Sequence, residues 1–203
     1  MLYFIDLLGT FAFGLTGGIV AIRKNMDLFG VFVLSMVTAI GGGTIRDIIL
    51  GSKQLFILSN PVYITLIIAS TLCAFLFYRV LLRINSIILI LDAFGLGTFV
   101  CIGVSKALSS GIPPFGSVIM GLITGVAGGM MRDILAKEIP MVLVRDFYAM
   151  ACVIGGSFYV ALYQMGLPEG TVMPISAAVV FTLRLLAIRY RWNFIRKKDV
   201  DGL

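Results

Sequence analysis

Apolar residues run along this chain in stretches of about 20, each closed by a short polar break, and the stretches fall at 3–22, 29–50, 61–80, 86–106, 114–136, 146–166 and 172–190. About 20 residues of helix cross a hydrocarbon core of roughly 30 Å. The period-two alternation of a membrane barrel is absent from these runs, so each is expected to be a helix. The breaks carry the residues that stop or start helices: Arg23-Lys24-Asn25 after the first run, Asn60-Pro61 before the third and Pro113-Pro114 before the fifth. Pro174 falls in the first turn of the last run, where its missing N–H costs little. The pattern predicts an all-α integral membrane protein with seven transmembrane helices and no soluble domain.

Composition agrees. Hydrophobic residues make up 60% of the 203 and charged residues 13%, with a mean hydropathy of +1.07, whereas soluble domains hold about 45–50% apolar residues. The chain has no histidine, which removes His-based catalysis and His-metal sites. Cys73, Cys101 and Cys152 lie in three different runs and read as packing residues. No enzyme activity, metal or cofactor is expected. Met1-Leu-Tyr-Phe-Ile-Asp6 has no basic n-region, so the first run is expected to stay as a membrane helix. The net charge of +6 reads as a signal for topology and for anionic membrane lipids, with no nucleic-acid partner.

The runs also contain a repeat. At a constant offset of 86, Asp6 matches Asp92, Gly9 matches Gly95, Phe13 matches Phe99, Gly17 matches Gly103 and Ala21 matches Ala107. The register continues through Phe29-Gly30 with Phe115-Gly116, Thr38 with Thr124, Gly42-Gly43 with Gly128-Gly129, and Arg46-Asp47-Ile48 with Arg132-Asp133-Ile134. Most of these identities are Gly, Asp, Arg, Thr or Phe, which shared apolar bias does not produce. The chain divides accordingly into a first three-helix repeat over 1–85, a second over 86–170, and a seventh helix with a basic cytoplasmic tail over 171–203.

Charge sets the orientation. With the N-terminus outside, the inner side holds Arg23, Lys24, Arg79, Arg83, Lys137, Arg145, Arg189, Arg191, Arg196, Lys197 and Lys198, and the outer connections hold only Lys53 and Lys106. That distribution follows the positive-inside rule and places the C-terminus in the cytoplasm. Three spans separate equivalent points of the copies, so the repeats are inverted about an axis in the membrane plane, an arrangement in which transport pathways run between the copies.

The candidate chemistry lies in the doubled glycine motif. Gly41, Gly42, Gly43, Gly128 and Gly129 sit in the second and fifth spans, where loss of helical bonding is expected to kink the helix and turn carbonyl oxygens toward a cavity. Such carbonyls suit Na⁺ or K⁺, and Thr38, Thr44 and Thr124 add hydroxyls beside them. Gly14, Gly18 and Gly121 belong to small-residue stripes that pack helices. Arg46-Asp47 and Arg132-Asp133 put charge near hydrocarbon. Adjacent helical residues diverge by about 100°, so each Arg is expected to pair within its repeat with Asp6 or Asp92 rather than with its neighbour. Those pairs are either structural salt bridges or charges that line and gate two vestibules.

The doubled Gly-Gly-Gly-x-x-Arg-Asp element, with Ala127 in the second copy where the first has Gly41, the length, the seven spans and the closing Arg184-Leu-Leu-Ala-Ile-Arg-Tyr-Arg-Trp192 resemble a bacterial membrane family labelled as having glycine-transporter domains. That family is grouped with the trimeric intracellular cation (TRIC) channels. The resemblance implies a homotrimer in a bacterial or archaeal inner membrane, with a K⁺ or Na⁺ pathway through each protomer near the kinks of spans two and five. Membrane lipids are expected partners, but the family's lipid-binding segment is not matched here. In animal members a Lys-Glu-Val segment is associated with lipid binding, where this chain has Thr44-Ile-Arg-Asp47 and Met130-Met-Arg-Asp133. Two functions stay open: a monovalent cation channel, or a secondary transporter of a small neutral amino acid such as glycine.

Overall fold

A computed structural model of the chain describes residues 2–81, 83, 86–144, 147–190 and 192. Basic residues Arg145, Arg191, Arg196, Lys197 and Lys198, and with them most of the tail, lie outside the described residues. The described residues form helices joined by turns: α1 (Leu2–Arg23), α2 (Leu28–Ile49), α3 (Phe56–Ser59), α4 (Val62–Leu81), α5 (Ile87–Ser109), α6 (Pro114–Leu135), α7 (Met141–Val144), α8 (Tyr148–Gln164) and α9 (Glu169–Tyr190).

The seven expected spans correspond to α1, α2, α4, α5, α6, α8 and α9. Six of them are long and apolar enough to cross a membrane. The exception is α8, whose 17 residues rise only about 26 Å. Local chemistry fixes several boundaries. Asp27 caps α2 by accepting the Gly30 N–H at 2.7 Å, and Pro114 opens α6 at the first helical position. Pro174 does not lie in a first turn: α9 starts at Glu169, so the proline is inside the helix, where it removes one backbone hydrogen bond. Lys106 is not in a connection either, because α5 runs on to Ser109.

Helices α3 and α7, four residues each, were not foreseen. They follow α2 and α6, which end alike. Ser52 N–H bonds the Asp47 carbonyl at 2.9 Å and Glu138 N–H bonds the Asp133 carbonyl at 2.8 Å, while Gly51 and Lys137 take left-handed φ values of 64° and 55°. Both repeats therefore leave their second helix by the same turn and re-enter through the same short helix.

The repeats meet along α1, α2, α5 and α6, and α9 packs on α5 and α8. Phe13 of α1 and Phe99 of α5, equivalent in the repeat, face each other with ring centroids 5.1 Å apart. Cys101 is buried in this same cluster and Cys152 in the neighbouring one; both are free thiols that fill space.

Candidate functional site

The repeat axis passes through the glycine motifs. A side-chain carbon on Gly42 would collide with the Thr124 carbonyl oxygen, and one on Gly128 would collide with the Thr38 carbonyl oxygen. These contacts are reciprocal, since Gly42 and Gly128, like Thr38 and Thr124, are equivalent residues. They also run in opposite directions along the two helices, so α2 and α6 cross antiparallel and the repeats are inverted. The expected break does not occur: helix is continuous through Gly41–Gly43 and through Gly128 and Gly129. The glycines instead let two backbones touch where any side chain would hold them apart. Gly41 accommodates the Met131 methyl and Gly43 the Phe56 ring. Gly129 differs, because a carbon there would sit 3.5 Å from Asp92 Oδ1, 3.6 Å from the Tyr148 hydroxyl and 3.7 Å from Arg132 Nη2, in a space bordered by polar groups.

The threonines divide in the same way. Thr38 donates its hydroxyl to the Leu34 carbonyl at 2.6 Å and Thr124 to the Met120 carbonyl at 2.7 Å, so both face their own helices. Thr44 Oγ1 is buried without a hydrogen-bond partner.

Both Arg-Asp pairs are buried, and each pairs with itself. Arg46 donates from Nε at 2.8 Å and Nη2 at 2.7 Å to Asp47 Oδ1, and Arg132 donates from Nε to Asp133 Oδ1 at 2.8 Å. The expectation that neighbours cannot pair is corrected by the length of arginine, which curls back across the 100° divergence. The other carboxylate oxygens hold the short helices: Asp47 Oδ2 accepts Phe56 N–H at 3.0 Å and Asp133 Oδ2 accepts Met141 N–H at 2.8 Å. Of the two pairs expected within repeats, Arg132–Asp92 forms at 3.0 Å. Asp6 and Arg46 make no ion pair; Asp6 Oδ2 accepts the Tyr63 hydroxyl instead. The repeats also differ in what the opposite repeat offers the arginine. Arg132 Nη1 also donates to Thr16 Oγ1 at 3.0 Å, tying α6 to α1, and the equivalent of Thr16 is Ile102, which offers Arg46 no acceptor.

Tyr63 and Tyr148 were missed by sequence reasoning. Tyr148 donates to Asp92 Oδ2 at 2.7 Å, as Tyr63 does to Asp6. They stand 85 apart rather than 86, because the turn before α7 is one residue shorter than the turn before α3. A signal was present in the form of one tyrosine near the start of each repeat's third span.

Two clefts enter the protein from opposite ends. One of about 250 Å³ is lined by Tyr3, Asp6, Tyr63, Ile102, Ser105 and Lys106. The other, about 310 Å³, is lined by residues that include Val20, Lys24, Arg132, Asp133, Glu138 and Met141. Asp6 and Val20 lie on the same helix, roughly 21 Å apart along its axis. Between the clefts stand the Phe13–Phe99 and glycine contacts of α1, α2, α5 and α6. Lys24 and Glu138 join across the mouth of the second cleft at 2.7 Å.

The same architecture is found in known proteins. A family model described as glycine transporter matches residues 3–79 and again 89–164. The UPF0126 inner membrane protein YadS of Escherichia coli K12 is 41% identical over 192 residues, covering 94% of this chain and 93% of the relative. A UPF0126 membrane protein of Vibrio cholerae is 44% identical over 191 residues, covering 94% and 80%. The TRIC trimeric intracellular cation channel orthologue from Rhodobacter sphaeroides superposes with a TM-score of 0.88 at 34% identity, covering 94% of this chain and 98% of that one. The chain belongs to the prokaryotic TRIC channel family. A second TRIC cation channel, studied for its conductance, superposes with a TM-score of 0.86 at 38% identity over 96% of each chain. TRIC membership places the chain outside the enzymes. In the TRIC fold the two family-model matches fall on α1 to α4 and on α5 to α8, leaving α9 outside both.

Proposed function

We propose that this TRIC protein is a monovalent cation channel of the inner membrane, working as a homotrimer with one pathway in each protomer. The observation that carries the reading is its similarity, over almost the whole chain, to solved TRIC cation channels. The pathway joins the two clefts between α1, α2, α5 and α6. It passes Gly41, Gly42, Gly43, Thr38 and Thr44 of one repeat and Gly128, Gly129 and Thr124 of the other. In the present arrangement the α2–α6 backbone contacts form its barrier. Asp6 with Arg46 and Asp47, and Asp92 with Arg132 and Asp133, flank that barrier from opposite ends. Each mouth presents both signs of charge: Asp6 stands beside Lys106 at one, and Asp133 and Glu138 stand with Arg132, Lys24 and Arg23 at the other. With both helices unbroken, ions meet water in the clefts rather than released carbonyls, and the buried Thr44 hydroxyl becomes a ligand when the α2–α6 contact opens.

Divisions at residues 85 and 170, an outer N-terminus, a cytoplasmic C-terminus and bound membrane lipid complete the proposal. The carrier alternative loses support, since a half-helix N-terminus to receive a substrate carboxylate requires the helix break that is absent. The test is recording from the purified protein in planar bilayers under a KCl gradient. Discrete currents reversing near the K⁺ potential are expected; silent bilayers together with saturable glycine uptake into proteoliposomes would refute the channel.

A further inference from the structure

Arg184 belongs to no part of the proposed pathway, and its surroundings are unusual. It lies on the buried stripe of α9 with Val180 and Ala187 and is 2% exposed. Its guanidinium sits over the face of Tyr148, 4.3 Å from the ring centroid. Nε and Nη2 are buried and have no hydrogen-bond partner. The aromatic face offsets part of the desolvation of this cation, but a buried guanidinium ordinarily meets a carboxylate. A carboxylate lies just beyond the ring: Tyr148 donates its hydroxyl to Asp92, which Arg132 holds from the other side.

The two repeats hold their acids differently. In the first repeat the arginine does not pair with the distant acid: Arg46 donates from Nε and Nη2 to Asp47, and Asp6 accepts from Tyr63 while facing an open cleft with Lys106. In the second repeat Arg132 still bridges Asp92, Asp133 and Thr16. Arg132 lines the second cleft, so it has room to withdraw. Asp92, however, is 0% exposed and lines neither of the two clefts.

We propose that Arg184 is the standby counter-ion of Asp92: when Arg132 retracts onto Asp133 alone, in the arrangement Arg46 already has with Asp47, Arg184 swings past the Tyr148 ring and pairs with Asp92. The seventh helix then does more than brace the repeats. It carries the charge that lets one repeat change state without stranding a buried carboxylate. The link to conduction rests on the channel reading; the exchange of partners does not.

Two measurements test it. In detergent, thermal unfolding is recorded for Arg132→Met, Arg184→Met, the double variant, and the double variant with Asp92→Asn. Redundant counter-ions predict that Arg184→Met is tolerated, that the double variant loses more than the sum of the two shifts, and that Asp92→Asn restores this excess, while the cost of leaving Asp133 without Arg132 stays in every Arg132→Met variant. If the double variant does not fold, recovery of folded protein by Asp92→Asn is the supporting result and continued misfolding the opposing one. Additive shifts, or stabilisation by Arg184→Met, overturn the assignment. In bilayers, Arg184→Met should lower open probability about tenfold at unchanged unitary conductance, with Arg184→Lys restoring it. An unchanged open probability overturns the role in gating. A silent wild type sinks the channel reading and leaves the unfolding cycle to decide the counter-ion.

Discussion

Gly128 and Gly129 are neighbours in sequence, and the structure predicts opposite consequences for the same substitution. Replacing either by Ala in a helix gains about 1 kcal/mol of intrinsic propensity, so that contribution cancels when the two variants are compared. What remains is space. At Gly128 the new methyl meets the Thr38 carbonyl oxygen, which belongs to the backbone of α2 and cannot move without shifting the helix. Overpacking of this kind costs about 1–3 kcal/mol. At Gly129 the methyl meets Asp92, Tyr148 and Arg132 atoms at 3.5–3.7 Å, which is ordinary contact. Gly128→Ala should therefore be less stable than Gly129→Ala by about 1–3 kcal/mol, a gap of roughly 2–12 °C in unfolding midpoint for a chain of this length. Thermal unfolding of the detergent-purified variants measures it. If the glycines serve as flexible kinks, both substitutions stiffen the same point and fall together; equal shifts, or the reverse order, refute the packing account.

Gly42→Ala should reproduce the Gly128→Ala loss, since it meets the Thr124 carbonyl in the reciprocal contact; the same unfolding assay checks the symmetry. Tyr148→Phe removes a donor from the fully buried Asp92 and should cost about 1.5–3 kcal/mol, whereas Tyr63→Phe should cost less because water in the first cleft can serve Asp6. Asp47→Ala leaves Arg46 with no carboxylate and should cost about 3–5 kcal/mol, measured as loss of folded yield and midpoint; Asp133→Ala should cost less, because Arg132 keeps Asp92. Lys24→Ala breaks an ion pair whose members are 37% and 51% exposed, so stability should move by no more than about 1 kcal/mol and the change should fade in high salt.

The sequence by itself determined the membrane helices and their duplication. Hydrocarbon demands a fixed length of apolar helix, so the runs from 3–22 to 172–190 could be read without any knowledge of neighbours, and most bounds hold to within a turn. Asp, Arg and Gly stand out against an apolar background, which made the offset of 86 visible and with it the Arg132–Asp92 pair. Helices α3 and α7 escaped because four residues leave no periodic trace, and Tyr63 and Tyr148 escaped because a one-residue difference in a turn moved them out of register. The tertiary structure decided what the glycines do. A kink and a close contact call for the same residue, and only the partner backbone, Thr124 against Gly42 and Thr38 against Gly128, separates them. It also decided which arginine reaches its distant acid. Arg46 and Arg132 share the Gly-Gly-x-x-Arg-Asp-Ile frame, but α1 offers Thr16 to Arg132 where α5 has Ile102 near Arg46. A charge in hydrocarbon goes to whichever acceptor the packed helices present.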